Sequence, residues 1–289
     1  MKQQNTLEQL KLLAEKIKQA DAIVIGGGSG LSSAGGYNHY HWTPNMKAAL
    51  QPFVDYYGFE SLFAGFYYCY SSQEAQWGFY SQYIRCVQEA STLTVYKDLK
   101  AIAADKPVFV LTTNIDGQFS RVFSEKQICC YQGDFRYLQC SQPCHDQLYE
   151  NALAVKEMTR QLHGVRIPSD LVPRCPECGR VMAPWVRDDT FLEGRRWQES
   201  VSRYQSFLRD HLIEKTGSMV IFLELGVGEM TPGIIKLPFW EMTVNNPDAF
   251  YACINQKRSL GPAHLNGKSM YIAAELKEAL TFVKQVMKM

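Results

Sequence analysis

The stretch DAIVIGGGSG, residues 21–30, does most to limit how this chain can fold. Ala22 to Ile25 are apolar without alternation, mostly β-branched, and run straight into a glycine loop. A strand that is apolar on both faces must be covered on both, which suits a parallel sheet held between helices. PVFVL (107–111), QICCY (127–131), MVIFLEL (219–225), AFYACI (249–254) and the weaker MYIA (270–273) read as further strands of the same kind. The loops after the first five are GGGSG, TTNIDG, QGD, GVGEM and NQ, all small or polar. Ligands of open parallel sheets bind outside the carboxyl ends of the strands, so these loops are expected to converge on one crevice.

Other segments do not belong to that sheet. Thr6 and Gln9 have capping-box spacing, and Leu7, Leu10, Leu13, Ala14 and Ile17 recur at helical period, so an amphipathic helix is expected first. AELKEALTFVKQVMKM reads as a closing helix. Residues 37–86, crowded with aromatics as in YYGFESLFAGFYYCY, show no clean strand and read as helices that wall or lid the crevice. Residues 135–215 combine a cysteine cluster with polar helical stretches and read as an inserted small domain. The expected fold is α/β: a Rossmann-like doubly wound parallel sheet from residues 1–36, 87–134 and 216–289, with an aromatic helical insert and a small zinc-binding domain. A chain of 289 residues that is 46% apolar has enough core-forming side chains for both units.

A net charge of +1 and the lack of any Lys/Arg run exclude the electrostatic footprint of a nucleic-acid or anionic-membrane binder. No segment reaches the ~18 apolar residues of a membrane span, and the opening residues have no unbroken signal core, so a cytoplasmic enzyme is expected. Nine cysteines, an odd number in a chain this large, argue for thiols or metal ligands over a disulfide framework.

Cys140 and Cys144 form a C-x3-C pair, and Cys175 and Cys178 a C-x2-C pair within PRCPECGR. Four thiolates in turn-rich sequence predict a closed, tetrahedral, structural zinc site, with His145 beside it as a bystander. Cys69, Cys86, Cys129, Cys130 and Cys253 read as ordinary buried cysteines.

The loop Gly26, Gly27, Gly28, Ser29, Gly30 lets backbone approach a pyrophosphate. It matches only G-x-G, with Leu31 where a third glycine would stand, and no acidic strand end follows about 20 residues later to hold a ribose. Nucleotide binding is expected; a hydride-transfer Rossmann unit is not. Asn114 and Asp116 of TTNIDG, taken alone, read as helix caps.

A strand leading into GxG, then TTNID, a short strand ending in QGD, a cysteine-pair insert, GVG after a strand and IN after the next occur here in one order across residues 20–275. That order resembles the sirtuins, and GGGSGLSSAGGY, YGFESLFAGFYY and CPECGRVMAPWVRDD look closest to the macrodomain-linked class M branch. The resemblance implies protein ADP-ribosylation from NAD, a lipoylated carrier like the glycine-cleavage H protein as acceptor, and a macrodomain protein as functional partner. It implies that Gly26, Gly27, Gly28, Ser29 and Ser32 or Ser33 contact the NAD phosphates and ribose, and that Ile115 and Asp116 hold the nicotinamide carboxamide. Asn114 would order the nicotinamide ribose, Gly226, Val227 and Gly228 would meet phosphate through backbone N–H groups, and Asn255 would meet the adenosine ribose. Gln132 stands where sirtuins carry the catalytic histidine.

An amide does not titrate, so Gln132 can orient ribose hydroxyls but cannot act as the base of acyl transfer. An acceptor carboxylate, with a pKa of about 4, is ionised at neutral pH and needs no base. Asp or Glu acceptors are therefore expected, with Gln132, Asn114 and Asp116 as the catalytic set. APWVRDD (183–189) replaces the deacylase pattern, and Arg187 is the acceptor-side candidate, set against a plain surface charge. Two alternatives stand beside this reading. One is a deacylase or NAD glycohydrolase with His39 or His41 as base; the other is an NAD or ADP-ribose sensor without turnover.

Overall fold

The computed structural model describes residues 2–103, 106–256, 262, 265 and 267–288. Six parallel strands form its main sheet: β1 (Ala22–Gly27), β2 (Val108–Thr112), β3 (Ile128–Cys130), β7 (Val220–Leu225), β8 (Ala249–Asn255) and β9 (Ser269–Ala273). Their spatial order is β3-β2-β1-β7-β8-β9, so the winding direction reverses between β1 and β7. A crevice opens where two neighbouring strands send their connections to opposite faces, which places the ligand-binding position above that pair.

Alternate residues of each strand serve opposite faces. Ile23, Ile25, Val110, Leu223 and Ile254 pack under α1 (Lys2–Gln19), α7 (Thr94–Ile102) and α11 (Leu276–Met287). Val24, Leu111, Phe222 and Tyr251 face α9 (Arg195–Leu208) and α10 (Lys236–Asn245). Both faces are thus covered, as wholly apolar strands require. Helix α1 starts at Lys2, so Thr6 lies inside it and does not cap it; the good helix formers upstream extend the helix past the expected start.

The aromatic segment forms α3 (Pro44–Ala49), α4 (Gln51–Tyr57), α5 (Leu62–Phe66) and α6 (Gln73–Glu89), while α2 (Ser29–Ala34) follows β1 directly. Phe53 and Phe79 meet edge to face at 5.5 Å, and Phe66 stacks on Tyr80 at 4.9 Å, so rings replace aliphatic packing in this satellite core. A second, antiparallel sheet holds β5 (Tyr149–Glu150), β4 (Gly133–Cys140) and β6 (Met182–Val186), with α8 (Ala152–Arg160) packed on α6. Among the described residues no helix is long and apolar enough to cross a membrane.

Candidate functional site

Loops from both sheets and from the aromatic helices enclose a cavity of about 390 Å³ at the switch point. Its deep side is built backbone to backbone. Gly28 and Gly30 pack against the 226–227 backbone, where an added Cβ on Gly28 would fall 2.6 Å from Val227 Cα. Gly30 N–H donates to the Gly226 carbonyl at 2.9 Å, and Gly226 itself needs φ +61. Only residues without a side chain allow that approach.

Asn114 is the hub of this wall. Its side-chain amide donates to the Gly28 carbonyl and Ser32 Oγ, each at 3.0 Å, and to Tyr96 Oη at 3.2 Å. Thr112 Oγ1 bridges the same loops by donating to the Gly27 carbonyl and accepting from Asn114 N–H. Asp116 accepts from Ser32 Oγ at 2.5 Å and from the Gln118 N–H at 3.0 Å. Burial pushes the Asp116 carboxyl up, and the Ser32 hydrogen bond works against that rise.

Gln132 lies in the turn joining the two sheets, between Tyr131, whose N–H donates to Thr112 O, and Gly133 at φ +94. Its carbonyl accepts from Arg187 N–H at 3.0 Å, and no hydrogen bond to a described residue holds its side-chain amide. Arg187 also reaches the cavity, but its guanidinium is engaged: Nε and Nη2 donate to the Tyr131 carbonyl, Nη1 pairs with Glu193 at 2.7 Å, and Tyr131, Phe191 and Trp197 rings surround it. It clamps the Gln132 turn.

The other wall comes from the aromatic helices. Tyr37, His39, Tyr40, Phe63, Tyr67 and Tyr83 line it. His39 Nδ1 lies 2.7 Å from Tyr83 Oη, and burial lowers the imidazole from 6.5 to about 4. Neutral at pH 7 and weakly basic, it is a poor proton acceptor there. His41 is exposed and does not line the cavity.

The structure therefore brings Ser29, Ser32, Asn114, Ile115, Asp116, Gln132, Arg187, Val227 and Gly228 to one cavity. Gly26 and Gly27 lie within β1, tight against Ile235 and Phe239 on one face and Phe119 on the other. Ser33 turns its hydroxyl back onto the Ser29 carbonyl. Asn255 donates to the Val227 carbonyl at 3.1 Å and so shapes the loop from behind. Tyr96, Tyr37 and Tyr83 had no motif to announce them.

At the far end of β4, Cys140, Cys144, Cys175 and Cys178 bring their sulfurs within 4.8 Å of one another. Cys140–Cys178 and Cys144–Cys175 are 3.6 Å apart, close to the ~3.8 Å edge of a tetrahedron with Zn–S of about 2.3 Å. The four sulfurs share one another's hydrogen bonds: the Arg180 backbone N–H lowers the Cys178 thiol, while burial raises Cys140 and the neighbouring Cys178 sulfur raises Cys144. These four residues fit structural zinc. His145 Nδ1 lies 3.1 Å from Cys144 Sγ while Nε2 meets Tyr149 Oη at 2.8 Å, outside the set of four.

No protein-family model matches the chain. It is 29% identical over 280 residues to a protein from Staphylococcus aureus named "Protein ADP-ribosyltransferase", covering 95% of this chain and 86% of that one. A "Probable bifunctional ADP-ribose hydrolase/ADP-ribosyltransferase" from Fusarium oxysporum f. sp. cubense is 29% identical over 241 residues, 79% of this chain and 39% of that protein. Among solved structures, a Sir2 homologue variant in complex with ADP-ribose superposes with a TM-score of 0.62 at 14% identity, over 96% of each chain. A Sir2 homologue complexed with NAD gives 0.58 at 15% identity, over 96% of this chain and 93% of that one. The protein has the sirtuin fold, and along nearly its whole length its sequence is similar to that of an ADP-ribosyltransferase.

Proposed function

We propose that this protein is an NAD-dependent protein ADP-ribosyltransferase that modifies a carboxylate side chain of a partner protein. The observation that carries the reading is chemical. Gln132, whose side-chain amide bonds to no described residue, lines the cavity beside Asn114 and Asp116, and His39, the histidine on the wall among the described residues, is kept neutral by burial that lowers it to about 4. The cavity thus has the groups to hold a ribosyl nicotinamide but, among the described residues, no imidazole tuned to pH 7. That supports transfer to an acceptor already ionised over base-assisted deacylation. The names of the two relatives support the same activity.

NAD, when bound, supplies an ADP-ribosyl group whose glycosidic bond to nicotinamide is ready to break. Ile115 and Asp116 would hold the carboxamide, Asn114 and Gln132 the ribose, and Ser29, Ser32, Val227 and Gly228 the ribose and phosphates. Asn114 orders the glycine loop and the Asp116 loop against each other, which fixes those groups before any ligand arrives. Gln132 orients a hydroxyl without taking its proton. The acceptor proposed is a lipoylated carrier resembling the glycine-cleavage H protein, in the cytoplasm. The fungal relative's name joins an ADP-ribose hydrolase to a transferase, which supports a macrodomain protein as functional partner.

Incubation with labelled NAD and candidate acceptors tests this. Label should enter the acceptor through an ester that neutral hydroxylamine releases, and Asn114→Ala and Gln132→Ala should each lower transfer about a hundred-fold or more. Free ADP-ribose as the only product points to hydrolysis, and untouched NAD to a sensor. Release of acyl groups from acyl-lysine peptides at a rate matching transfer overturns the proposal.

A further inference from the structure

Where α9 packs against β3 at the joint between the two sheets, a cavity of about 200 Å³ opens between that helix and β4. It shares no residue with the cavity that Gln132 lines. Arg136 stands between it and a cavity of about 350 Å³ that abuts Asp116.

Four cations and three carboxylates line this cavity, and they are unequally engaged. Arg136 is saturated: its Nε and Nη2 donate to Asp134, its Nη1 to Glu125 at 3.0 Å, and Nη2 also to Ser120 Oγ at 2.8 Å. Arg196 Nη2 donates to the other Glu125 oxygen and to Tyr137 Oη at 2.7 Å. Asp134 and Glu125 are thereby neutralised. Arg203 differs, for it makes no ion pair with a described residue and its Nε is buried with no hydrogen-bond partner. Lys126 pairs with no described residue either, and Glu199, exposed and four residues before Arg203 on α9, is the third carboxylate. Four cations against three carboxylates leave one positive charge in excess. A buried N–H without an acceptor has lost its water for nothing, and a ligand oxygen would restore the missing bond.

The lining narrows the choice of occupant. A single excess charge suits a monoanion better than a phosphate dianion. The Nε edge of a guanidinium presents two parallel N–H groups, which match the two oxygens of a carboxylate. Beside the charges stand apolar surfaces, Ile128 and the Tyr137 and Trp185 rings. Ser120 Oγ, which accepts from Arg136, keeps its own proton to donate. We propose that this cavity binds a small organic monocarboxylate, with the carboxylate on Arg203 and Lys126 and the apolar body, a single ring or a short chain, against Tyr137 and Trp185. The site is separate from the NAD cavity and goes beyond the transferase reading.

The test is equilibrium dialysis of the full chain against radiolabelled benzoate. Wild type should bind it, and Arg203→Met should bind it about ten-fold or more weakly. That variant removes an unpaired buried donor, so its unfolding midpoint should not fall. Lys126→Met, at an exposed position, gives the same comparison should Arg203→Met fail to fold. Glu199→Gln removes a repelling carboxylate and should tighten binding about three-fold. Benzyl alcohol, the neutral analogue, should bind wild type about ten-fold or more weakly than benzoate does. Absence of benzoate binding in wild type, undiminished binding in both folded cation variants, or equal binding of benzyl alcohol overturns the site. Displacement of benzoate by inorganic phosphate at equal concentration overturns the choice of a monocarboxylate.

Discussion

The two sheets of this protein are held together by different physics. The six-stranded sheet is apolar on both faces, and β1, β7 and β8, its central strands beyond β2, are buried along almost their entire length. The three-stranded sheet has a short strand of two residues, a register shift between Gly133 and Leu138, and a core that ends in four thiols. A small lobe with little apolar surface to bury needs another source of free energy, and ligation of zinc supplies about 10 kcal/mol or more. Yet the cavity needs both sheets. Gln132 sits where β3 ends and β4 begins, and Gly133 pairs with Val186, next to Arg187.

Removing the metal should separate the two sheets most sharply. A chelator, or Cys175→Ser, is expected to unfold the small lobe while circular dichroism retains the helices and strands of the large one. ADP-ribosyl transfer should vanish because the Gln132 turn loses its clamp. A single cooperative loss of both would show that they are one folding unit.

The large sheet has its own weak point in a buried ion pair. Glu224 and Lys236 are 0% and 2% exposed and 3.1 Å apart, with Tyr251 Oη donating to the carboxylate at 2.7 Å. Lys236→Met leaves Glu224 charged in an apolar layer and should cost about 3–5 kcal/mol in denaturant unfolding, with zinc content unchanged. A loss below about 1 kcal/mol would mean that the pair contributes little to the stability of the large sheet.

Gly133 tests the joint. Its φ of +94 and the 2.0 Å from a would-be Cβ to the Trp185 carbonyl leave no room for a side chain. Gly133→Ala should lower stability by about 1–3 kcal/mol and reduce NAD affinity more than either sheet's stability alone predicts.

The smallest effect concerns pH. The folded pKa of His39, about 4, lies below its ordinary 6.5, so the unfolded chain binds the proton first. His39 therefore contributes stability that is present above pH 6.5 and is lost as pH falls toward 4. His39→Gln should flatten the fall in melting temperature across that window and leave neutral-pH stability nearly unchanged; an identical acid profile would place the proton uptake on unfolding at other groups.

Much of the fold was legible because strand runs and glycine loops are local signals. Six apolar runs became six parallel strands, and paired cysteines met. The capping spacing of Thr6 misled because propensity upstream carried α1 back to Lys2. In the site, place at strand ends put Asn114, Asp116 and Gln132 near one crevice, but Asn114 and Asp116 taken alone read as helix caps, and the resemblance to the sirtuins singled the three out. Neither signal pointed to Tyr96: it reaches Ser32 and Asn114 from a helix, 64 residues from Ser32, and only packing decides which helix face meets a loop. Gly26 and Gly27 share a motif with Gly28, yet their backbones close against Phe239 and Phe119.

The resemblance to the sirtuins marked Gln132 as an amide in the place of a titrating base, while by itself the sequence determined a parallel sheet with one crevice and a four-thiol metal site. Residue type and order suffice for those, since each rests on chemistry the chain carries locally. Tertiary structure alone decided that Arg195–Leu208 packs back on the large sheet, that Arg187 clamps a turn with donors already engaged, and that a second cavity abuts Asp116. Those depend on which surfaces come within a few ångströms of each other, and distances across the fold are not written in spacing along it.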